Sequence, residues 1–182
     1  SIRDKVLTST DLVGKLVSNR ILSPIINYFN SLKLFRHFLS LILSIHIKAK
    51  LPKYTNLTAK SESKNLEYDS SSANKVAIFT TCYHNYNEPK IIDDLSSVLK
   101  HNNITVRLIK NEVCCGMPKL ELGDLLSVQN AMKINASILN RYIIDDYKII
   151  APIPSCVLMY KQELPLLFPD NIILKKISEN IY

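Results

Sequence analysis

Short apolar runs and longer periodic stretches alternate along the C-terminal two thirds of the chain. The short runs are rich in β-branched residues and predict buried strands over 76–80, 104–109 and 147–151. Helical spacing predicts helices opened by Pro89, over about 120–142 and around 156–163. Because strands separated by helices need crossover connections, we expect an α/β fold with a parallel sheet and flanking helices.

The N-terminal part of the chain carries a different pattern, in which apolar side chains recur at helical spacing and basic side chains lie between them. One stretch begins near Ser9 and continues to Phe29, and a second runs from Leu32 to about Ile47. We expect a helical segment that docks onto a partner subunit or a membrane surface, or that packs against its own chain.

A polar, Ser-rich stretch without apolar period separates these two parts, which is typical of a linker. We therefore predict a helical docking segment over 1–59, a linker over 60–75 and an α/β domain over 76–182. Because the first residue is Ser1 and not Met, we expect the chain to be a piece of a longer polypeptide.

Positive charge is concentrated at the N-terminal end. Residues 1–60 contain ten Lys or Arg and two Asp or Glu, a net +8, whereas residues 61–182 are close to neutral. The basic segment has neither a DNA-reading motif nor the interleaved aromatic residues of single-strand binding proteins, so we expect no nucleic-acid partner.

Apolar runs are too short to predict a membrane span. The longest one covers residues 38–47, whereas a spanning helix needs about 20 apolar residues. The first twenty residues contain no uninterrupted apolar run either. We therefore expect a cytoplasmic protein whose cysteines are thiols rather than disulfides.

Each predicted strand is followed by cysteine. Cys82 comes after the first strand, Cys114 and Cys115 after the second, and Cys156 after the third, and the chain contains four cysteines in all. Because the carboxyl ends of parallel strands share one edge of a sheet, we expect all four to converge there. Four convergent thiolates suit zinc or an iron–sulfur cluster, while the alternative is four small buried hydrophobic side chains.

Gly116 explains how two adjacent cysteines can face one site. Successive side chains of an extended strand point in opposite directions, so the pair Cys114 and Cys115 needs a turn. Gly116 provides the backbone freedom for that turn, and Pro118 constrains the chain after it. Backbone N–H groups in such a turn can donate hydrogen bonds to cluster sulfurs, so we predict that Gly116 contributes to cofactor binding. His84 lies two residues after Cys82. The alternatives for it are a fifth ligand, a proton carrier near the cluster and a surface-loop histidine, and we expect the last.

Three segments together resemble the cysteine-rich CCG domain family. They are Cys82-Tyr-His-Asn-Tyr-Asn-Glu-Pro, Cys114-Cys-Gly-Met-Pro and Pro154-Ser-Cys-Val-Leu-Met-Tyr-Lys-Gln-Glu-Leu-Pro. This family includes iron–sulfur subunits of anaerobic glycerol-3-phosphate dehydrogenase and glycolate oxidase, and a subunit of heterodisulfide reductase. Residues 3–14 and 45–53 also resemble the region that precedes this domain in the glycerol-3-phosphate dehydrogenase subunit.

The resemblance implies an electron-transfer subunit that is not itself catalytic. A flavin-containing dehydrogenase subunit would oxidise a small hydroxylated metabolite, and a cluster in this chain, of 4Fe-4S type, would relay electrons towards quinone. It also implies a membrane anchor or quinone site as partner, a peripheral location on the inner face of the cell membrane, and a second CCG repeat beyond these residues.

Met159 departs from the family pattern, which ends in Cys-x-x-Cys starting at the position of Cys156. Four cysteines suit one cluster, or zinc, better than a five-cysteine double cluster. Two alternatives therefore accompany the electron-transfer hypothesis. One is a zinc-stabilised module that binds partners, and the other is a disulfide-cleaving subunit of the heterodisulfide reductase kind, against which Met159 argues.

Overall fold

The computed structural model describes residues 2–71 and 73–182. Ser1 and Ser72, which fall in the predicted helical segment and the predicted linker, lie outside the described residues. The N-terminal part is helical, as expected. Its helices span Ile2–Thr8 (α1), Thr10–Val17 (α2), Leu22–Ser31 (α3) and Lys33–Leu43 (α4).

The first helical stretch predicted from the sequence is interrupted between α2 and α3. The side-chain oxygen of Asn19 accepts hydrogen bonds from the backbone N–H groups of Ile21 and Leu22, at 3.0 and 2.8 Å. Such local side-chain bonds compete with the helical ladder, so the chain turns before α3 begins. The second stretch ends at Leu43 rather than near Ile47, because Ser44 adopts a left-handed conformation with φ of 51°.

The segment predicted as a linker is partly ordered against the sheet. A 3-10 turn over Ala59–Glu62 leads into the short helix Ser63–Leu66 (α5), and Leu66 is buried. Tyr68 then forms an antiparallel bridge with Val106. The division of the chain at residues 59 and 75 stays a prediction.

The rest of the chain forms a parallel sheet of strand order β2-β1-β3 with helices on both faces, which confirms the α/β class. The strands are Lys75–Ile78 (β1), Thr105–Leu108 (β2) and Lys148–Ile150 (β3). The accompanying helices are Cys82–Tyr86 (α6), Pro89–His101 (α7), Met117–Leu120 (α8), Leu125–Ile144 (α9), Pro154–Leu158 (α10), Leu164–Leu167 (α11) and Ile172–Asn180 (α12). A π-helical turn over Met159–Glu163 joins α10 to α11.

Alternate residues of β1, together with Phe79, which follows it, belong to two hydrophobic cores. Val76 and Ile78 pack with residues of α7 and β2, whereas Ala77 and Phe79 pack with residues of α9 and α12. Both faces of the strand are therefore covered, which explains why its sequence is continuously apolar rather than alternating. The two helical layers fix the sheet and hold its carboxyl edge in place.

Two features of the helices differ from the sequence-based prediction. The long helix starts at Leu125 rather than near Leu120, because Gly123, with φ of 74°, separates it from α8. Helix α12 was not predicted, and its buried Leu174 and Ile177 complete the core beneath the sheet. Among the described residues, no helix is both long enough and apolar enough to cross a membrane.

Candidate metal centre

The four cysteines meet at the carboxyl edge of the sheet, where the strand order predicts that they should. Cys82 is the first residue of α6, Cys114 and Cys115 lie in the loop before α8, and Cys156 lies in α10. Residues that are far apart in sequence are therefore neighbours in space, as expected for the region outside the ends of parallel strands.

The sulfur atoms form a connected group that we call the cysteine cluster. The Sγ atoms of Cys82 and Cys114 lie 3.8 Å apart, and those of Cys115 and Cys156 lie 3.2 Å apart. Cys114 and Cys115 are adjacent in the chain, so they connect the two pairs. Cys114, Cys115 and Cys156 are buried and Cys82 is partly exposed, so the cluster has one side near solvent.

Unusual backbone conformations position two of the strand-end loops. Gly116 has φ of 94°, which is a conformation that glycine adopts easily, and this confirms the predicted turn after the cysteine pair. Thr81 has φ of 59°, which is rare for a β-branched residue, and its hydroxyl accepts a 3.3 Å hydrogen bond from the N–H of His84. The chain therefore stores strain next to Cys82, at the start of α6.

Hydrogen bonds divide the thiols into donors and an acceptor. The pKa of Cys114 is held far below its usual range, because Cys115 and Cys82 donate hydrogen bonds to its sulfur and the N–H of Gly116 adds another. The pKa of Cys82 is raised by its hydrogen bond to Cys114 and then by burial. The pKa of Cys115 is raised by its hydrogen bonds with Cys114 and Cys156 and then by burial.

The donor atoms fit a thiolate-bound metal, although the described residues do not already surround an ion. Within residues 2–71 and 73–182, no three His, Cys, Asp or Glu side chains are arranged so that they would hold a metal ion. The sulfurs instead touch in pairs. Deprotonating all four at these separations would bring like charges together in a buried place, and a bound cation offsets that repulsion. Soft sulfur donors are the ligands that zinc and iron–sulfur clusters prefer.

His84 was expected in a surface loop, and this expectation is wrong. Residues 82–86 form a helix rather than an open loop, and His84 is only 6% exposed. Its Nδ1 atom has no hydrogen-bond partner among the described residues. Burial lowers the pKa of His84, which favours the neutral imidazole.

Asn135 supports the cysteine loop and was missed in the sequence. This fully buried residue of α9 accepts a 2.9 Å hydrogen bond from the N–H of Val113 and donates a 3.0 Å bond to the same residue's carbonyl oxygen. A further bond of 3.4 Å reaches the carbonyl oxygen of Cys114. The only sequence signal was an Asn on the apolar stripe of a helix, between Met132 and Leu139.

A buried ion pair borders the same loop. Glu112 is almost completely buried, and its carboxylate lies 2.9 Å from Nζ of Lys60 and accepts a 2.8 Å hydrogen bond from the hydroxyl of Thr80. Lys60 comes from the segment that was predicted as a linker. That segment therefore anchors the loop that carries Cys114.

The family model of the cysteine-rich domain, CCG, matches residues 76–161. These residues are similar to the CCG cysteine-rich domain. The CCG domain therefore contains all four cysteines and Gly116, and the resemblance noted from the sequence is confirmed.

Two curated relatives are similar to almost the whole chain. Both are subunits of an anaerobic glycerol-3-phosphate dehydrogenase, one from Escherichia coli strain K12 and the other from Escherichia coli O157:H7. Each is 30% identical over 174 residues, which cover 94% of this chain and 43% of the relative. The chain thus spans less than half the length of these relatives. No solved structure matches the chain significantly.

Proposed function

We propose that this chain is the iron–sulfur electron-transfer part of a flavin dehydrogenase complex, of glycerol-3-phosphate or 2-hydroxy-acid type. The observation that carries the proposal is the convergence of four cysteine sulfurs within one CCG domain. Similarity to a glycerol-3-phosphate dehydrogenase subunit supports the class of complex. In this proposal a flavin-containing partner oxidises the substrate, and electrons pass through this chain towards quinone.

Cys82, Cys114, Cys115 and Cys156 are the proposed ligands of one cluster, of 4Fe-4S type. When bound, such a cluster accepts and releases single electrons. The chain's own residues hold the thiolates at the sheet edge, bury three of them away from water and direct the N–H of Gly116 towards the sulfur of Cys114. Hydrogen bonds of this kind tune the potential of a sulfur-ligated centre.

The spacing of the sulfurs favours a second candidate, a zinc-stabilised module without redox activity. Sulfurs around tetrahedral zinc, with Zn–S bonds of about 2.3 Å, stand roughly 3.8 Å apart. The sulfurs of Cys82 and Cys114 are separated by 3.8 Å. We favour iron because the family resemblance extends beyond the cysteines to the N-terminal helices.

The N-terminal helices are proposed to bind the anionic inner face of the cell membrane. Leu34 and Leu41 of α4 are 87% and 85% exposed, and residues 1–60 carry a net charge of +8. An apolar helix face surrounded by basic side chains suits a surface that offers both lipid chains and negative headgroups.

Metal analysis of anaerobically purified protein distinguishes the two candidates. Iron and acid-labile sulfide in similar amounts, with visible absorption that dithionite bleaches, are the result we expect. A colourless protein with stoichiometric zinc would instead establish the structural module and overturn the electron-transfer proposal.

A further inference from the structure

Helix α2 of the N-terminal segment reaches the cysteine cluster. The hydroxyl oxygen of Thr10 lies 3.4 Å from Sγ of Cys82 and 3.9 Å from Sγ of Cys114. Thr10 is 72 positions away from Cys82 in the sequence and lies outside the CCG domain. The N-terminal segment therefore contributes a polar group to the site, in addition to its exposed apolar faces.

The direction of the bond follows from chemistry. A thiolate that binds metal has no hydrogen to donate, so a hydroxyl next to it is the donor. Thr10 has a single hydrogen to give, and Cys82 offers the shorter contact of the two. Cys82 is also the ligand that is partly exposed, so this bond acts on the side of the cluster that is open to solvent.

A close helix–helix contact holds Thr10 in place. Gly14, one turn further along α2, is buried against the ring of Tyr86, and a Cβ atom on Gly14 would overlap Cδ2 of that ring. The hydroxyl of Ser18 donates a 3.3 Å hydrogen bond to the carbonyl oxygen of Tyr86. Tyr86 ends the short helix that Cys82 begins, so this contact fixes α2 directly to the element that carries Cys82.

The presence of glycine at position 14 indicates that the sequence favours this close contact. Gly in a helix interior is less favourable than Ala, so α2 gives up intrinsic stability at Gly14. The close approach to Tyr86 is what that glycine permits.

We propose that Thr10 is a positioning residue of the metal centre, whose hydroxyl donates to Cys82 and raises the reduction potential of the cluster proposed above. This inference depends on the proposed function. A hydrogen bond to a ligating sulfur stabilises the reduced, more negative state, so its loss lowers the potential. Helix α2 thereby couples the N-terminal segment to the cluster.

The test compares three variants of the full-length protein by redox titration of the visible or electron paramagnetic resonance signal. Thr10→Val removes the hydroxyl and keeps the shape, Thr10→Ser keeps the hydroxyl, and Thr8→Val is a neighbouring control whose hydroxyl bonds the carbonyl oxygen of Asp4 instead. We expect a lower midpoint potential for Thr10→Val alone, at unchanged iron content. A Thr10→Val potential equal to that of the wild type overturns the proposal.

If the protein binds zinc instead of iron, the same variants test the proposed electron-transfer function and the role of Thr10 separately. No variant then shows a reduction potential, which overturns the proposed function. Thr10 is still tested, because Thr10→Val should weaken zinc binding by at least about tenfold, as loss of hydrogen bonds to metal ligands commonly does, while Thr10→Ser should not. Equal zinc affinity of all variants overturns the role of Thr10.

Gly14→Ala tests the helix contact separately. The added methyl group moves α2 away from Tyr86, so we expect the Gly14→Ala protein to show the same lowered potential as Thr10→Val although Thr10 is present. An unchanged potential for Gly14→Ala contradicts the inference that this contact positions Thr10.

Discussion

The side-chain amide of Asn135 donates a 2.7 Å hydrogen bond to the phenol oxygen of Tyr160. Both residues are completely buried, and the same amide holds the backbone of Val113, just before the cysteine pair. Tyr160 follows Cys156 by about one turn. One side chain of α9 therefore connects the second and third strand-end segments that carry cysteines.

Replacing Asn135 should destabilise the protein. Asn135→Ala leaves the N–H and C=O of Val113 and the Tyr160 hydroxyl without their partner in the core, and each such loss costs about 1–3 kcal/mol. We expect the free energy of unfolding in urea to fall by at least about 2 kcal/mol. Asn140→Ala, on the same helix, has the same change in helix propensity and is the control. Equal stability of the two variants would show that the Asn135 bonds contribute nothing.

Alanine substitutions at Gly116 and Gly123 test the turn after the cysteine pair, with Gly123 as the control. Both have positive φ, of 94° and 74°, and a Cβ atom meets nothing closer than 3.6 Å at Gly116 and nothing within 4 Å at Gly123. Alanine at either position should cost about 1–2 kcal/mol of backbone strain. Only Gly116→Ala should also lower the metal content, since only this turn sets the direction of the Cys114 and Cys115 side chains. Equal metal content in both variants would contradict that role.

Lys60 compensates the charge of a buried carboxylate. Lys60→Met leaves Glu112 without its cation, and we expect a loss of about 1–3 kcal/mol, less than for a fully buried pair because Lys60 is 31% exposed. Lys64→Met, at an exposed position on α5, is the control for removing a positive charge. The double variant with Lys60→Met and Glu112→Gln should recover part of the lost free energy of unfolding, measured in urea. If the double variant is no more stable than Lys60→Met, the unpaired charge is not the cause.

The exposed leucines of α4 should control binding to lipid vesicles. Leu34→Gln combined with Leu41→Gln removes two apolar contacts of about 1.5–3 kcal/mol each, so we expect at least tenfold weaker sedimentation with vesicles that contain phosphatidylglycerol. Leu126→Gln with Ile172→Gln changes two similarly exposed residues of the C-terminal half and should have no effect. High salt should weaken binding of the unaltered protein. Binding that survives the α4 changes would show that these leucines are not the membrane-binding surface.

The α/β class and the meeting of the cysteines were predictable because both depend on the order of elements along the chain. Short apolar runs located the strands, Pro89 located the start of α7, and parallel topology then placed Cys82, Cys114 and Cys156 at one edge. Gly116 was predictable because a cysteine pair facing one site requires a turn.

The partners of the cysteines were not predictable, because they depend on packing between distant segments. Nothing near Thr10 in the sequence indicates a contact with Cys82, and nothing in the polar stretch around Lys60 indicates an ion pair with Glu112. His84 was expected at the surface, because the helix that buries it is a single short turn without an apolar period.

The most direct test of the central claim is to replace each of the four cysteines in turn with serine and to measure iron, zinc and acid-labile sulfide in the folded protein. Ser155→Ala, next to Cys156, is the control for a change at the same edge of the sheet. We predict that each of the four replacements removes or strongly depletes the same metal, while Ser155→Ala retains it. Full metal content after replacing Cys82, Cys114, Cys115 or Cys156 would contradict a single centre built from all four.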